Sequence, residues 1–186
     1  MPSPVFAACS LLLLALAGCG GSQPTDVVVV LQSDLAIPTE TDGLEISVSA
    51  GPVAPLPNGA QSVNETDALT GHFPFSLVFT PGAMTTSFSL TAQLLLNLFG
   101  TTGSPPSLIV SRTVTDVPFS AHRQMMLVLP MLRACACQGT SCPGPGNPDC
   151  DAIAAPSLQP YDPAVAPPST VLFGAIEIDP QTFTNH

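Results

Sequence analysis

Residues 86–98 read TSFSLTAQLLLNL. Apolar side chains occupy most even positions of this stretch, and Ser, Thr, Gln or Asn occupy most odd ones. Such alternation is typical of a strand with one buried face. A helix competes for the segment, because Phe88, Ala92 and Leu95 share a helical face. That helix would leave three other leucines on its polar side and would begin without an N-cap, so we predict a strand.

Strand patterns of the same kind recur along the chain, at short spacing and without a long amphipathic helix or an internal repeat. They lie at 27–31, 44–48, 73–79, 108–114, 125–132 and 171–178. Turn signals such as Asp42-Gly43 separate them. The pattern predicts an all-β fold, a single antiparallel immunoglobulin/fibronectin-like sandwich over residues 26–134 with a disulfide-rich C-terminal extension. Pro130 lacks an amide donor, so we expect it at an edge or a bulge.

The charge composition excludes several classes of activity. The 186 residues carry a net charge of −10, with three Arg and no Lys. Without Lys there is no phosphate-binding P-loop and no Schiff-base chemistry. Three basic residues on an acidic chain release few counterions from a phosphate backbone, so nucleic acid is not an expected partner.

The N-terminus carries an export signal. Val5–Gly18 is an apolar run of fourteen residues, too short for the roughly twenty residues that span a bilayer but typical of a secretory signal. It ends in Leu16-Ala17-Gly18-Cys19, which resembles the lipobox of bacterial lipoprotein precursors. The resemblance implies cleavage before Cys19, removal of residues 1–18 and a diacylglycerol on the Cys19 thiol. An ordinary secretory signal is the alternative, and residues 1–4 lack the usual basic residue.

Localisation follows from the same resemblance. Gly20 stands where lipoproteins retained in the inner membrane carry Asp, which implies a lipid anchor in the outer membrane, with the body periplasmic or surface-facing. Residues 19–25 read as a flexible tether. The layout of lipobox, sandwich and C-terminal Cys cluster resembles uncharacterised myxobacterial-type lipoproteins, a group that implies no known activity.

Four of the six cysteines cluster in the pattern Cys-x-Cys-x4-Cys-x7-Cys, at Cys135, Cys137, Cys142 and Cys150. In an exported protein such clustering predicts disulfides, and four cysteines allow three pairings. A bond between Cys135 and Cys137 is geometrically unfavourable. A four-thiolate zinc site is the alternative, although the paired Cys-x2-Cys spacing of such sites is missing. We expect no metal and no cofactor.

The chain beyond this Cys-rich loop (135–150) changes character twice. Residues 151–170 hold five Pro and predict an extended connector. Residues 171–186 regain strand character, so we expect either a returning strand with a short tail or a disordered end.

No catalytic constellation stands out in the sequence. His72, His122 and His186 match no metal-binding spacing, and no Ser lies in Gly-x-Ser-x-Gly. The favoured interpretation has His72 and His122 near turns at strand ends. We therefore expect no catalytic residues and a membrane-anchored, non-catalytic binding or structural module with an envelope protein or glycan as partner. The alternative is a periplasmic hydrolase with a dispersed site around His72 or His122.

Charged residues predict a solvated surface. Acidic residues group at Asp34, Glu40, Asp42 and Glu45, and again at Glu65 and Asp67, but their spacing matches no calcium loop. The sequence predicts that Arg112, Arg123 and Arg133 each neutralise a carboxylate at the surface.

Overall fold

The computed structural model describes residues 25–50, 62–82, 85–98, 105–137, 150, 155–164, 166, 170–171 and 176–178. Ten β-strands form in this part of the chain, with a 3-10 turn at Arg133–Cys135. The strands are β1 (Val27–Gln32), β2 (Gly43–Ala50), β3 (Ser62–Ala68), β4 (Phe75–Pro81), β5 (Ser87–Leu96), β6 (Ser107–Pro118), β7 (Met125–Pro130), β8 (Ser157–Pro160), β9 (Thr170–Val171) and β10 (Ile176–Ile178).

The strands form two sheets. The first has the order β10-β4-β1-β7-β8, with β9 also beside β4, and the second has the order β3-β2-β5-β6. All pairs in the second sheet are antiparallel. The first sheet is mixed, because β7 runs parallel to β1 and both β9 and β10 run parallel to β4. The prediction of an antiparallel sandwich is therefore wrong for the first sheet. The order differs from the immunoglobulin arrangement, in which the first strand pairs with the second and the third with the sixth.

Alternate side chains of both sheets form one core, which packs the sheets face to face. Its central members are Val27, Val29, Leu31, Leu44, Ile46, Val48, Phe75, Leu77, Phe79, Phe88, Leu90, Ala92, Leu94, Leu127 and Leu129. The rings of Phe79 and Phe88, from opposite sheets, lie 5.0 Å apart. The strand predicted at residues 86–98 is confirmed as β5, and the all-β prediction with it.

A second apolar cluster lies on the outer face of the first sheet. It consists of Val28, Val30 and Met126, with Tyr161 and Ala166 packed against it. We call residues 161–164 and 166 the strap. β1 is therefore buried on both faces, which explains its unbroken apolar run.

The C-terminal part of the chain lies against the first sheet. Ser157–Pro160, inside the predicted connector, forms β8 antiparallel to β7. Proline is tolerated in such a short edge strand, because a residue without an N–H group can occupy a position that does not donate to the neighbouring strand. β9 and β10 both run parallel to β4, in the segment where the sequence predicts a returning strand.

Pro130 is the last residue of β7, paired with Gln32 of β1. No helix among the described residues has the length and apolar character that crossing a bilayer requires.

Candidate functional site

A cleft of about 310 Å³ opens where β1 ends, and it is lined by residues 33–37 with His72 and Phe73. We call it the distal cleft. Leu35 is buried, Ile37 and Phe73 are half-buried, and Asp34 and His72 are exposed. The Phe73 ring meets Phe75 edge to face at 5.0 Å. The cleft thus has an apolar wall continuous with the core and a polar rim.

Hydrogen bonds fix the loop that forms this cleft. The Ser33 hydroxyl donates to the Met131 carbonyl at 2.7 Å and accepts from the Leu35 amide at 3.1 Å. The Asp34 carboxylate accepts from the Arg133 amide at 2.7 Å. These bonds tie the loop to the end of β7, so the cleft is preformed.

Glu40 and Arg133 form a second brace. One Glu40 oxygen accepts from the Ala36 amide at 2.8 Å and from Nη2 of Arg133 at 2.6 Å. The same guanidinium nitrogen lies 3.5 Å from the Asp34 carbonyl oxygen. The predicted surface role of Arg133 is therefore confirmed.

The predicted surface position of Arg112 is wrong. Its side chain points inward from β6 and is 7% exposed. Nη1 donates to the sulfur of Cys150 and lies 3.8 Å from the sulfur of Cys135. Alternation along β6 places position 112 on the core side, and this outweighed the preference of a guanidinium for solvent.

The Cys cluster contains a disulfide between Cys135 and Cys150, whose Cα atoms lie 5.3 Å apart. The disulfide prediction is confirmed for this pair. Because both thiols are used in the disulfide, neither is available as a thiolate ligand for the alternative zinc site. Cys137 is also disulfide-bonded, while Cys142 and Cys19 lie outside the described residues. Among the described residues, no three His, Cys, Asp or Glu side chains cluster closely enough to hold a metal ion.

The structure separates the candidate histidines. His72 lines the distal cleft together with Ser33 and Asp34. His122 lies at the other end of the sandwich, exposed in the turn between β6 and β7, where its amide donates to the Thr25 hydroxyl. His186 lies outside the described residues. The sequence did not single out Ser33 or Phe73, because they reach the cleft only through the pairing of β1 with β4.

No family model and no curated protein matches the chain. Among solved structures, the human-specific toxin intermedilysin is similar at 12% identity over 73% of this chain and 23% of that one, with a TM-score of 0.26. Listeriolysin O is similar at 10% identity over 73% of this chain and 22% of that one, with a TM-score of 0.26. The sugar-binding protein pneumolysin is similar at 10% identity over 75% of this chain and 23% of that one, with a TM-score of 0.28. TM-scores this low carry no argument about function, and the chain spans less than a quarter of each protein.

Proposed function

We propose that the protein is an outer-membrane lipoprotein, anchored through acylated Cys19, whose sandwich is a non-catalytic binding module. The proposed partner is an envelope protein or glycan, and the proposed binding site is the distal cleft. The sequence support is the Leu16-Ala17-Gly18-Cys19 motif directly behind a leucine run.

The position of the cleft is the observation that carries the proposal. A tether of residues 20–25 reaches about 20 Å at full extension, so the N-terminal end of β1 stays near the membrane. β1 then runs for about 20 Å before the chain enters the loop at Ser33. An anchor at Cys19 would therefore place the cleft at the end of the sandwich farther from the tether, where a partner can reach it.

We further propose an immunoglobulin/fibronectin-like architecture. The support is two face-packed sheets formed chiefly by β1 to β7, of which the second is antiparallel throughout. Many sandwiches share this architecture with a different strand order.

Two measurements test the anchored binding module. Mass spectrometry of the purified mature N-terminus should find acylated Cys19, whereas an unmodified N-terminus elsewhere contradicts the anchor. A photo-crosslinking residue at Ala36, which is exposed in the cleft, should yield a reproducible adduct on intact cells. The same residue at exposed Thr86, near the opposite end of the sandwich, should not. Equal adducts at both positions, or none at Ala36, contradict the cleft as binding site.

A hydrolase remains the competing proposal because His72, Ser33 and Asp34 line one cleft. The Ser33 hydroxyl donates its proton to the Met131 carbonyl. A serine nucleophile would instead have to donate that proton to a base such as His72. If hydrolysis of an ester or amide panel is abolished by His72→Ala and unaffected by His122→Ala, the hydrolase proposal replaces the binding module.

A further inference from the structure

We infer that the distal cleft receives an arginine side chain from a partner protein. This inference rests on the proposed function of the cleft as a binding site and names the chemistry of the partner. It draws on the size of the cleft, on the apolar and aromatic wall, and on the charge at the rim.

The size of the cleft suits a single long side chain. Its volume of about 310 Å³ lies at the lower end of the roughly 300–1,000 Å³ of small-molecule pockets. Leu35, Ile37 and Phe73 offer apolar contact for an aliphatic stem, in the way that long basic side chains bury their methylenes. His72 and Phe73 add ring surfaces on which a planar guanidinium stacks.

The charge at the rim favours a cation. Asp34 is exposed, and the bond recorded for its carboxylate comes from an uncharged donor, the Arg133 amide. The Arg133 guanidinium instead pairs with Glu40 and meets the main-chain carbonyl of Asp34. In the described part of the chain, no Arg side chain forms an ion pair with the Asp34 carboxylate. The rim therefore keeps an anion beside the apolar wall.

The cation has to come from another molecule. The chain contains no Lys, Arg112 is buried beside the disulfide, and Arg123 lies in the turn before β7, at the far end of β1 from the cleft. A net charge of −10 also attracts basic partners during encounter. Arginine fits better than lysine because its planar fork matches a carboxylate and its weaker hydration favours stacking on rings.

Titration of the full-length, detergent-solubilised protein tests the inference. The probes are acetyl-Ala-Arg-Ala-amide, the same peptide with uncharged citrulline, and the same peptide with lysine, each followed by NMR at the amides of residues 33–37, 72 and 73. We expect saturable shifts with the arginine peptide and at least about tenfold weaker binding of the citrulline peptide, as the loss of a charge-assisted hydrogen bond implies.

Asp34→Asn should weaken arginine binding at least about tenfold, because it removes the charge while an amide oxygen remains to accept from Arg133. Asp116→Asn is the matched control, since Asp116 is exposed at the other end of the sandwich and its φ of 55° suits Asn. It should leave binding unchanged.

The inference is overturned by absence of saturable shifts, by equal binding of the citrulline or lysine peptide, or by an Asp34→Asn effect that Asp116→Asn reproduces. A crosslinked partner at Ala36 without arginine binding overturns this inference and leaves the proposed function standing. Absence of both contradicts both.

Discussion

At the scale of single residues, Asp42 shows how a side chain replaces missing main-chain partners. Its two carboxylate oxygens accept from the amides of Asn97 and Leu98, at 3.0 and 3.1 Å. These amides follow β5, where the ladder with β6 has ended. Asp42 therefore holds the end of one sheet strand to the start of another.

Asp42→Ala should lower the free energy of unfolding by about 2 kcal/mol, because two amides lose a charged acceptor in a half-exposed setting. Asp42→Asn should cost less, since one oxygen remains. Urea denaturation of the three proteins measures the difference. An alanine variant as stable as the parent would show that water replaces the carboxylate without loss.

Asp26, just before β1, makes stability depend on pH. Desolvation raises the pKa of this carboxyl above 3.8. As pH rises through 3.8 the unfolded chain ionises first, so Asp26 lowers stability between that pH and its folded pKa, and the loss persists at higher pH. We expect Asp26→Asn to gain stability relative to the parent at pH 7 and to show a smaller gain at pH 3. A difference independent of pH would contradict this linkage.

Arg112 marks where residue-level prediction from sequence stopped. The alternation of side chains along β6 places Arg112 on the same side as Val110 and Val114, which is the core side. Its charge, in contrast, predicts a position at the surface. Choosing between them requires knowing that Cys135 and Cys150 approach position 112. That contact joins residues distant in sequence, and no local pattern records it.

At the scale of elements, the Cys135–Cys150 disulfide closes a loop with a sequence separation of 15. In the chain-entropy model a loop of this length stabilises the fold by about 3 kcal/mol. Both cysteines are buried in the main core. The bond therefore also attaches Cys150, which lies beyond the sandwich in sequence, to the core of the sandwich.

Replacing Cys135 and Cys150 together with Ala should therefore lower the free energy of unfolding by about 3 kcal/mol in urea titrations. Non-reducing peptide mapping of the parent should recover the 135–150 bond and a second bond from Cys137, which we expect to reach Cys142. Mapping that joins Cys135 to another partner would refute the pairing, and an unaffected midpoint would refute the energetic estimate.

The strands that the sequence predicted differ in a physical way from β3, one of the strands that it missed. β5 is central, and its inward positions must all be apolar to form the core. β3 (SVNETDA) lies at the edge beyond β2, where Glu65 stands opposite Ile46 in the register. Pairing with a neighbour's main chain does not need apolar alternation, so an edge strand leaves little signal in the sequence.

At the scale of the whole molecule, the two sheets treat their outer faces differently. Outward positions of the second sheet carry polar groups, such as Thr91 and Thr113, whose hydroxyls lie 2.9 Å apart. The outer face of the first sheet is apolar and packs against the strap. The run 27–31 lacks alternation, as a strand buried on both faces does, but the covering segment has no periodicity of its own from which its position could be predicted. The cleft was unpredictable for a related reason, since residues 33–37 meet residues 72–73 only once β1 pairs with β4.

Ending the chain after Pro160 removes β9 and β10 together with the strap, and it should expose Val28, Val30 and Met126, which the strap contacts. Loss of this burial, at about 25 cal/mol per Å² of apolar surface, should cost roughly 3–5 kcal/mol of stability and should increase binding of a hydrophobic dye. Val28→Thr with Val30→Thr should reduce dye binding in the shortened chain, where the hydroxyls meet water. The same pair should destabilise the full chain by about 1–3 kcal/mol, because the hydroxyls are buried beneath the strap. Lower dye binding by the shortened chain, together with lower stability of the full chain, is the signature of a covered face. A shortened chain that binds no more dye than the parent, or threonines that leave the full chain as stable as before, would show that the strap does not cover this face.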